Sequence, residues 1–572
     1  MRQLFYGDNL KVLRESIASE SVDLIYLDPP FNSQAGYNVI FKNQNKAPSA
    51  AQFLAFDDTW TWGADTEHAL NDLTQSHGQL AALLTDLSRW FERNSLSAYL
   101  VMMAVRLVEL RRVLKTTGSI YLHCDATASH YLKLVLDAIF GAANFRSEIV
   151  WKGADAHNDA KRQFAGITDR IFFYGKDHQH THFVPQHVAF PEKTLREWYL
   201  GLDLPDGTTR RMTREEIETQ TVPPRARRFN ADNLRSPSPR PNLTYEYKGY
   251  KPHPNGWAIS IERMEKLDAA GLLLFPKETT GRIMRKKYLD ETKGPVLADL
   301  WTDISQLRGH DIEKLGYPTQ KPVALLERII AISCPEGGTV LDPFCGCGTA
   351  VAAAEKMNRS WIGIDVTHLS ISLIKARMKR DFDLTVGKDY TEVGTPRDLD
   401  AAMYFAGADP FQFQFWITGE IGAQPYGGLS DKKGKKGGDT GIDGQLFFRT
   451  PDGNRVERAI VSVKAGRNLN PAMVRDLVGT VQREKAAVGV FLCAHPPTKG
   501  MKDEAAKAGV YSWGTKVFPK IQILTVAEVL DGKRPQLPQG SLNVSFDQKT
   551  VKTTQNSKRA KSEQPLFDGA TE

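Results

Sequence analysis

The sequence predicts an α/β chain, and three observations carry that prediction. Short apolar runs end in an acid at Val22–Asp28, Thr339–Asp342 and Ser360–Asp365, as strands do when their carboxyl ends face a binding crevice. A glycine loop, Gly346-Cys347-Gly348, opens a good helix-forming stretch from Thr349 to Glu355. A second, smaller set of strand and helix patterns begins beyond Val393-Gly394-Thr395-Pro396-Arg397, which reads as a linker.

Val22-Asp23-Leu24-Ile25-Tyr26-Leu27 reads as a buried parallel strand, which places Asp28-Pro29-Pro30-Phe31 at its carboxyl end. This string suits an exocyclic base amine, a poor nucleophile because its lone pair is delocalised into the ring. The Asp28 carboxylate and the Pro29 carbonyl both accept hydrogen bonds from an NH2 group, favouring a pyramidal nitrogen. Neither proline carries an N–H, so the loop presents acceptors and stays stiff. Phe31 offers a face for the base to stack on.

Further along, Tyr99–Leu114 is an amphipathic helix, Gly118–Asp125 a strand, Tyr131–Phe140 a helix and Ile171–Tyr174 a strand. His123 and Asp125 have the look of an acid/base pair, but lining a rim or capping the next helix is the expected role. Between Thr208 and Arg240 there are eight arginines against four acids, followed by Tyr245, Tyr247, Tyr250 and Trp257; Gly281–Lys287 adds a second basic stretch. Arginine with interleaved aromatics suits a DNA partner, since guanidinium binds phosphate or guanine edges bidentately. A solvated, irregular insertion is the alternative.

Thr339-Val340-Leu341 is a short strand leading to Asp342-Pro343-Phe344-Cys345 and the glycine loop. Glycine there lets main chain approach a bulky ligand closely. The strand Ser360–Asp365 then ends in an acid about twenty residues past the loop, as a ribose-binding carboxylate requires. The loop lacks a P-loop lysine and matches G-x-G-x-x-G poorly, which disfavours a nucleoside triphosphate and a dinucleotide.

These motifs, with Tyr6-Gly7-Asp8-Asn9 and Gly316-Tyr317-Pro318-Thr319-Gln320-Lys321-Pro322 before the helix Val323–Ile332, resemble the β-group DNA amino-methyltransferases. The resemblance covers roughly the first 390 residues. It implies a Rossmann-like fold with a target-recognition region at about residues 180–300 and S-adenosylmethionine as cofactor. It implicates Asp8, Thr319, Lys321, Asp342, Phe344, Gly346, Gly348 and Asp365 in cofactor binding, and Asp28, Pro29, Pro30 and Phe31 in catalysis. Cys347 stands where Ser or Thr is usual, a small-for-small exchange. By the same resemblance, an Asp at the head of the catalytic string implies a tendency toward adenine N6 over cytosine N4.

The second unit begins with a helical pattern, Leu399–Phe405. Asp431–Asp439 is a lysine and glycine run, and the strands Gly441–Phe448 and Glu457–Lys464 flank a Pro451-Asp452-Gly453 turn. Such a hairpin sets Asp443 beside Lys464, as a metal-dependent phosphodiesterase needs, with Asp443 holding Mg2+. With the helix Ala472–Ala486, the strand Val488–Leu492 and a helix near Met501–Ala508, residues 405–535 resemble the Mrr-like restriction endonucleases of the PD-(D/E)xK superfamily. Ser462 occupies the usual second ligand position, so Glu420 would have to assist. The alternative is a nuclease fold kept as a DNA-binding module. Residues 396–404 are then a linker, and the polar stretch 536–572 is expected to be disordered.

The whole-chain numbers agree. A net charge of +7 and a pI near 8.9 fit a polyanion such as double-stranded DNA. Five cysteines form no metal-ligand spacing, nothing reads as a signal peptide or membrane span, and a cytoplasmic bacterial or phage setting is expected. Whether two copies pair as a homodimer is left open.

Overall fold

The computed structural model describes residues 1–30, 62–155, 164–308, 311, 313–315, 317, 320–425, 441–452 and 455–538. Phe31 and Thr319 of the expected site, the lysine and glycine run Asp431–Asp439 and the tail from residue 539 lie outside them. The chain divides into two compact units, Met1–Val184 with Asp299–Glu572, and Pro185–Ala298.

The first unit holds a nine-stranded sheet built from β1 (Arg2–Tyr6), β2 (Val22–Leu27), β3 (Leu114–Cys124), β4 (Phe145–Lys152), β5 (Thr168–Gly175), β6 (Leu300–Trp301), β7 (Thr339–Asp342), β8 (Ser360–Asp365) and β9 (Thr391–Val393). Their order is β6-β4-β5-β3-β2-β7-β8-β1-β9. Only the pairs involving β5 are antiparallel. Strand β2 is buried at every position, as a strand covered on both faces must be. It pairs in parallel with β7, Val340 against Leu24 and Leu341 against Ile25. The chain leaves β2 toward β3 and leaves β7 toward β8, so the sheet reverses its winding between them. That reversal is where open α/β sheets form their ligand crevice.

Helices flank this point for local reasons. Asp8 caps Asn9–Ser16 (α1) by accepting from the Lys11 N–H, and Asn94 caps Ser95–Val113 (α2) by accepting from Leu96 and Ser97. Helix α2 buries Leu100, Leu107 and Leu110 in a core shared with Ile25, Leu27 and Ile120. Gly348, at φ +74°, turns the chain into Thr349–Lys356 (α3). A Cβ there would stand 2.7 Å from the Ile374 side chain of His368–Phe382 (α4), so only glycine fits.

A second sheet in the same unit has β10 (Gln424–Pro425), β11 (Gly444–Arg449), β12 (Val456–Lys464), β13 (Val488–Cys493) and β14 (Ile521–Thr525) in that order. Leu399–Ala408 (α5) begins at Asp398, whose carboxylate accepts from Ala401, and Pro410–Glu420 (α6) begins at Asp409-Pro410 with proline in the first turn. Ala402 and Ala406 of α5 join Phe413, Trp416, Val461 and Val490 in one core. The expected linker is therefore shorter than nine residues at its helical end, because Leu399 already starts an element of the second domain.

Lys375 of α4 bridges Glu392 of β9 (3.0 Å) and Glu420 of α6 (2.8 Å). Tyr6 stacks on His368 at 3.6 Å, Phe405 of α5 closes on both rings, and the His368 N–H donates to Gln412 Oε1. Both sheets are thus joined by buried charge and by a ring cluster.

Pro185–Ala298 is a body of its own. Its five strands run in the order Thr209–Arg211, Gly201–Asp203, Arg227–Asn233, Met284–Tyr288, Leu273–Leu274. Tyr247, Tyr250 and Trp257 are core residues, packed with Leu234, Met264, Leu267 and Ile283. The interleaved aromatics therefore serve packing here, not an exposed stacking surface. Arg210, Arg214 and Arg227 pair with acids of the same body, whereas Arg211, Arg225, Arg235, Arg240 and Arg282 are exposed.

Candidate active sites

At the crevice between β2 and β7, Asp28 follows the end of one strand and Asp342 ends its neighbour. Lys321 donates from Nζ to Asp28 Oδ2 at 2.6 Å, both side chains being largely buried. Folding therefore brings Lys321 to the catalytic string. One carboxylate oxygen of Asp28 is held by the ammonium, so the other can accept from an amine.

The glycine loop is held in shape by Asp365, whose Oδ2 accepts from the Gly346 N–H (2.9 Å) and whose Oδ1 accepts from the Thr367 N–H (2.9 Å) and hydroxyl (2.8 Å). Gly346, at φ +48°, lies under the Tyr317 ring, which a Cβ would meet at 3.2 Å. Phe344 donates its N–H to Asp342 Oδ1. Asn9 Nδ2 donates to the Pro343 carbonyl at 2.8 Å, and Arg106, buried in α2, reaches both Asn9 and Asp8 (2.6 Å to the latter). One asparagine thus ties the opening motif to a loop more than three hundred positions away.

Acids outnumber cations in this crevice, with Asp28, Asp342 and Asp365 against Lys321. Burial pushes the Asp342 carboxyl well above its ordinary range; the Phe344 N–H opposes this, and the charges of Asp28 and Asp365 add to it. Burial also raises Asp365, against the hydrogen bonds from Thr367 and Gly346. A bound cation would relieve this crowding. The donor set fits a sulfonium carrying an ammonium group.

Of the pair His123 and Asp125, the second caps the approach to the helix Ser129–Phe140, accepting from the Thr127 N–H and hydroxyl. His123 instead joins Tyr26 (2.9 Å to Nδ1) and Asp169 (3.0 Å to Nε2). Neither Tyr26 nor Asp169 stood out in the sequence. The period-2 alternation from Asp28 back to Tyr26 was the available signal for the former.

In the second domain the β11–β12 hairpin places Gly444 opposite Val461, so Asp443 lies beside Ser462 and one position from Lys464 on the same face. Asp443 Oδ1 accepts from Gln414 Nε2 (2.9 Å) and Oδ2 from the Val463 N–H. Ser462 is buried. Glu420, expected to supplement the ligands, is instead engaged by Lys375 at the domain junction. The side chain that α6 sends to Asp443 is Gln414, which lies about 120° round the helix from Glu420 and which no feature of the sequence marked. Among the described residues no cluster of three His, Cys, Asp or Glu side chains is placed to hold a metal ion. Its hydrogen bonds leave each Asp443 oxygen a second lone pair, so Asp443 could hold Mg2+ as a single carboxylate together with water and substrate phosphate. No helix among the described residues is long and apolar enough to cross a membrane.

Two family models match the chain: one described as DNA methylase over residues 22–376, and one described as restriction endonuclease over residues 408–516. The chain is 28% identical to the type II methyltransferase M.EcaI of Enterobacter cloacae over 378 residues, 66% of this chain and 68% of that protein. It is 26% identical to the Mod subunit of the type III restriction-modification enzyme StyLTI of Salmonella typhimurium over 366 residues, 62% of this chain and 49% of that protein. Among solved structures, M1.HpyAVI in complex with SAM aligns at 13% identity over 66% of this chain and 99% of that chain, with a TM-score of 0.29.

Proposed function

Because the chain belongs to the DNA methylase family of N6 and N4 amino-methyltransferases and carries an Mrr-type restriction endonuclease domain, we propose that it methylates adenine N6 in duplex DNA. The observation that carries this reading is the placement of Asp28 and the glycine loop at the carboxyl ends of the adjacent parallel strands β2 and β7. S-adenosylmethionine supplies an activated methyl group on a sulfonium, a neutral leaving group once the methyl departs. The chain's own residues then have to align and exclude water. Asp28 and the Pro29 carbonyl accept from the amine, and Lys321 holds the second Asp28 oxygen away from it. The Asp8–Asn9–Arg106 set and Asp365 fix the two loops that face the cofactor. The target base leaves the duplex stack at a cost of a few kcal/mol, least for a weakly stacked site. The exposed arginines of the Pro185–Ala298 body suit phosphate contact. Nucleoside mass spectrometry of DNA from cells making the protein tests the base: N6-methyladenine supports the reading, and N4-methylcytosine alone refutes it.

Cofactor binding should also release protons. Asp342 and Asp365 are held above the ordinary carboxylate range, and a bound cation lowers both values. Between the raised and lowered values a proton leaves on binding, so affinity rises with pH across that interval. Calorimetry in buffers of different ionisation enthalpy reads the release; a binding enthalpy independent of buffer contradicts it.

For the C-terminal domain the family supports a nuclease that cuts unmethylated DNA with Asp443 and Lys464. One observation favours a second reading, a DNA-binding module: Glu420, the carboxylate expected to assist Asp443, is engaged by Lys375. Incubating wild type and Asp443→Ala with unmethylated duplex and Mg2+ separates them, since cutting that vanishes in the variant supports the nuclease. Gln414→Glu would place a second carboxylate against Asp443, and calorimetric Mg2+ affinity should rise by about tenfold or more.

A further inference from the structure

Four side chains on three neighbouring strands converge beneath the catalytic string. Tyr26 precedes Asp28 by two positions, so both face the same side of the sheet. Leu27 of β2 pairs with Leu122 of β3, which puts His123 beside Asp28. On the next strand, Asp169 of β5 pairs with Trp151 of β4 and reaches back to His123. Tyr26 and His123 are almost entirely buried, and the edge of the Trp151 ring system closes on the imidazole at 5.7 Å.

We propose that Tyr26, His123 and Asp169 form a buried positioning relay that acts through Lys321 to hold the Asp28 carboxylate with one oxygen turned to the target amine. The inference rests on the methylase reading and extends it to residues that touch neither base nor cofactor.

The proton positions follow from the partners. Burial, with the charges of Asp28, Asp342 and Asp169 added, keeps the Tyr26 hydroxyl protonated, and it is hydrogen-bonded to His123 Nδ1 at 2.9 Å. Burial pushes Asp169 up, but the hydrogen bond and charge of His123 and the ammonium of Lys321 outweigh it and hold the carboxyl below its usual range. Asp169 therefore accepts, and His123 carries its proton on Nε2. The ring is locked at both nitrogens, which fixes Asp169. Asp169 lies one imidazole away from the Asp28 position, so its negative charge also draws Lys321, whose Nζ lies 2.6 Å from Asp28 Oδ2. Drawn between two carboxylates, the ammonium has one preferred place, and so does the Asp28 oxygen it binds. Without Asp169 the ammonium could swing with Asp28 into the crevice. A misplacement of about 1 Å at a reacting group costs about 100-fold in rate.

The test is a double-mutant cycle on the full chain. Asp169→Asn, and independently His123→Gln, should lower kcat for methyl transfer about 100-fold, with KM for DNA and the calorimetric Kd for S-adenosylmethionine unchanged within about twofold. In a Lys321→Met background Asp169→Asn should cost nothing further, because the lysine is the route by which Asp169 acts. Losses that add, or a kcat loss matched by lost cofactor affinity, overturn the relay. A reading independent of turnover is the 15N spectrum of histidine-labelled protein, with His123 assigned by its loss in His123→Gln. A ring protonated at Nε2 is expected, and a ring protonated at Nδ1 alone overturns the relay. A wild-type protein that transfers no methyl group to duplex DNA but shows the Nε2 tautomer would sink the methylase reading while leaving the hydrogen-bonded chain standing.

Discussion

Asp28→Asn is expected to lower methyl transfer by about 10³-fold while leaving S-adenosylmethionine affinity nearly intact. The substitution keeps the shape and removes the charge. A neutral amide accepts more weakly than a carboxylate, and its NH2 end would face either the substrate amine or Lys321, each of them a donor. Whichever way it turns, one donor opposes another. The loss should appear in kcat, since the interaction strengthens only as the amine becomes pyramidal and gains positive charge. Single-turnover transfer from labelled cofactor, paired with calorimetric binding, checks it; a parallel loss of binding would show that Asp28 serves the cofactor and not the base.

Lys375→Met is the second large effect, and it acts on stability. Lys375 is pulled up by Glu420 and Glu392 against the opposing effect of burial, and Glu392 is almost fully buried. Removing the ammonium leaves two carboxylates facing each other across the domain junction without a counter-charge. Breaking a buried pair from one side costs about 3–5 kcal/mol. The unit Met1–Val184 with Asp299–Glu572 unfolds with an entropy of about 2.1 cal/mol/K per residue, so the melting midpoint falls by about 3–5 °C. Calorimetric melting measures it. Glu420→Gln in the Lys375→Met background should recover part of the loss by removing one of the two charges; an unchanged midpoint in the single variant would show that the bridge contributes nothing.

The strands that carry the site were legible because their signal is local. Val22–Leu27 and Ser360–Asp365 occupy the residues that their apolar runs marked, and Val456–Lys464 begins one residue before its expected start. β1 went unmarked: its five residues, Arg2–Tyr6, are too few for a period to show. The body Pro185–Ala298 was read by charge and aromatic content, which do not distinguish a stacking face from a core. Tyr247 and Tyr250 turn inward onto Leu234, Met264, Leu267 and Ile283, where their rings bury a large apolar area. In the sites, residue type and spacing marked Asp28 and Asp365, yet pairing was invisible. Lys321 was assigned to the cofactor by motif and lies on Asp28, and Glu420 was assigned to a metal and lies on Lys375. Such partners lie 293 and 45 positions apart, and no local pattern encodes them.

The sheet has a consequence for the order in which a nascent chain matures. Strand β1 precedes both of its neighbours, β8 and β9, so it waits unpaired until Asp365 has left the ribosome and gains its second neighbour only with Val393. The second domain needs β14 to close its sheet, about 130 residues later, or roughly 7–26 s at ordinary elongation rates of about 5–20 residues per second. On every polypeptide the modifying half is complete before the half that resembles a cutter has been made.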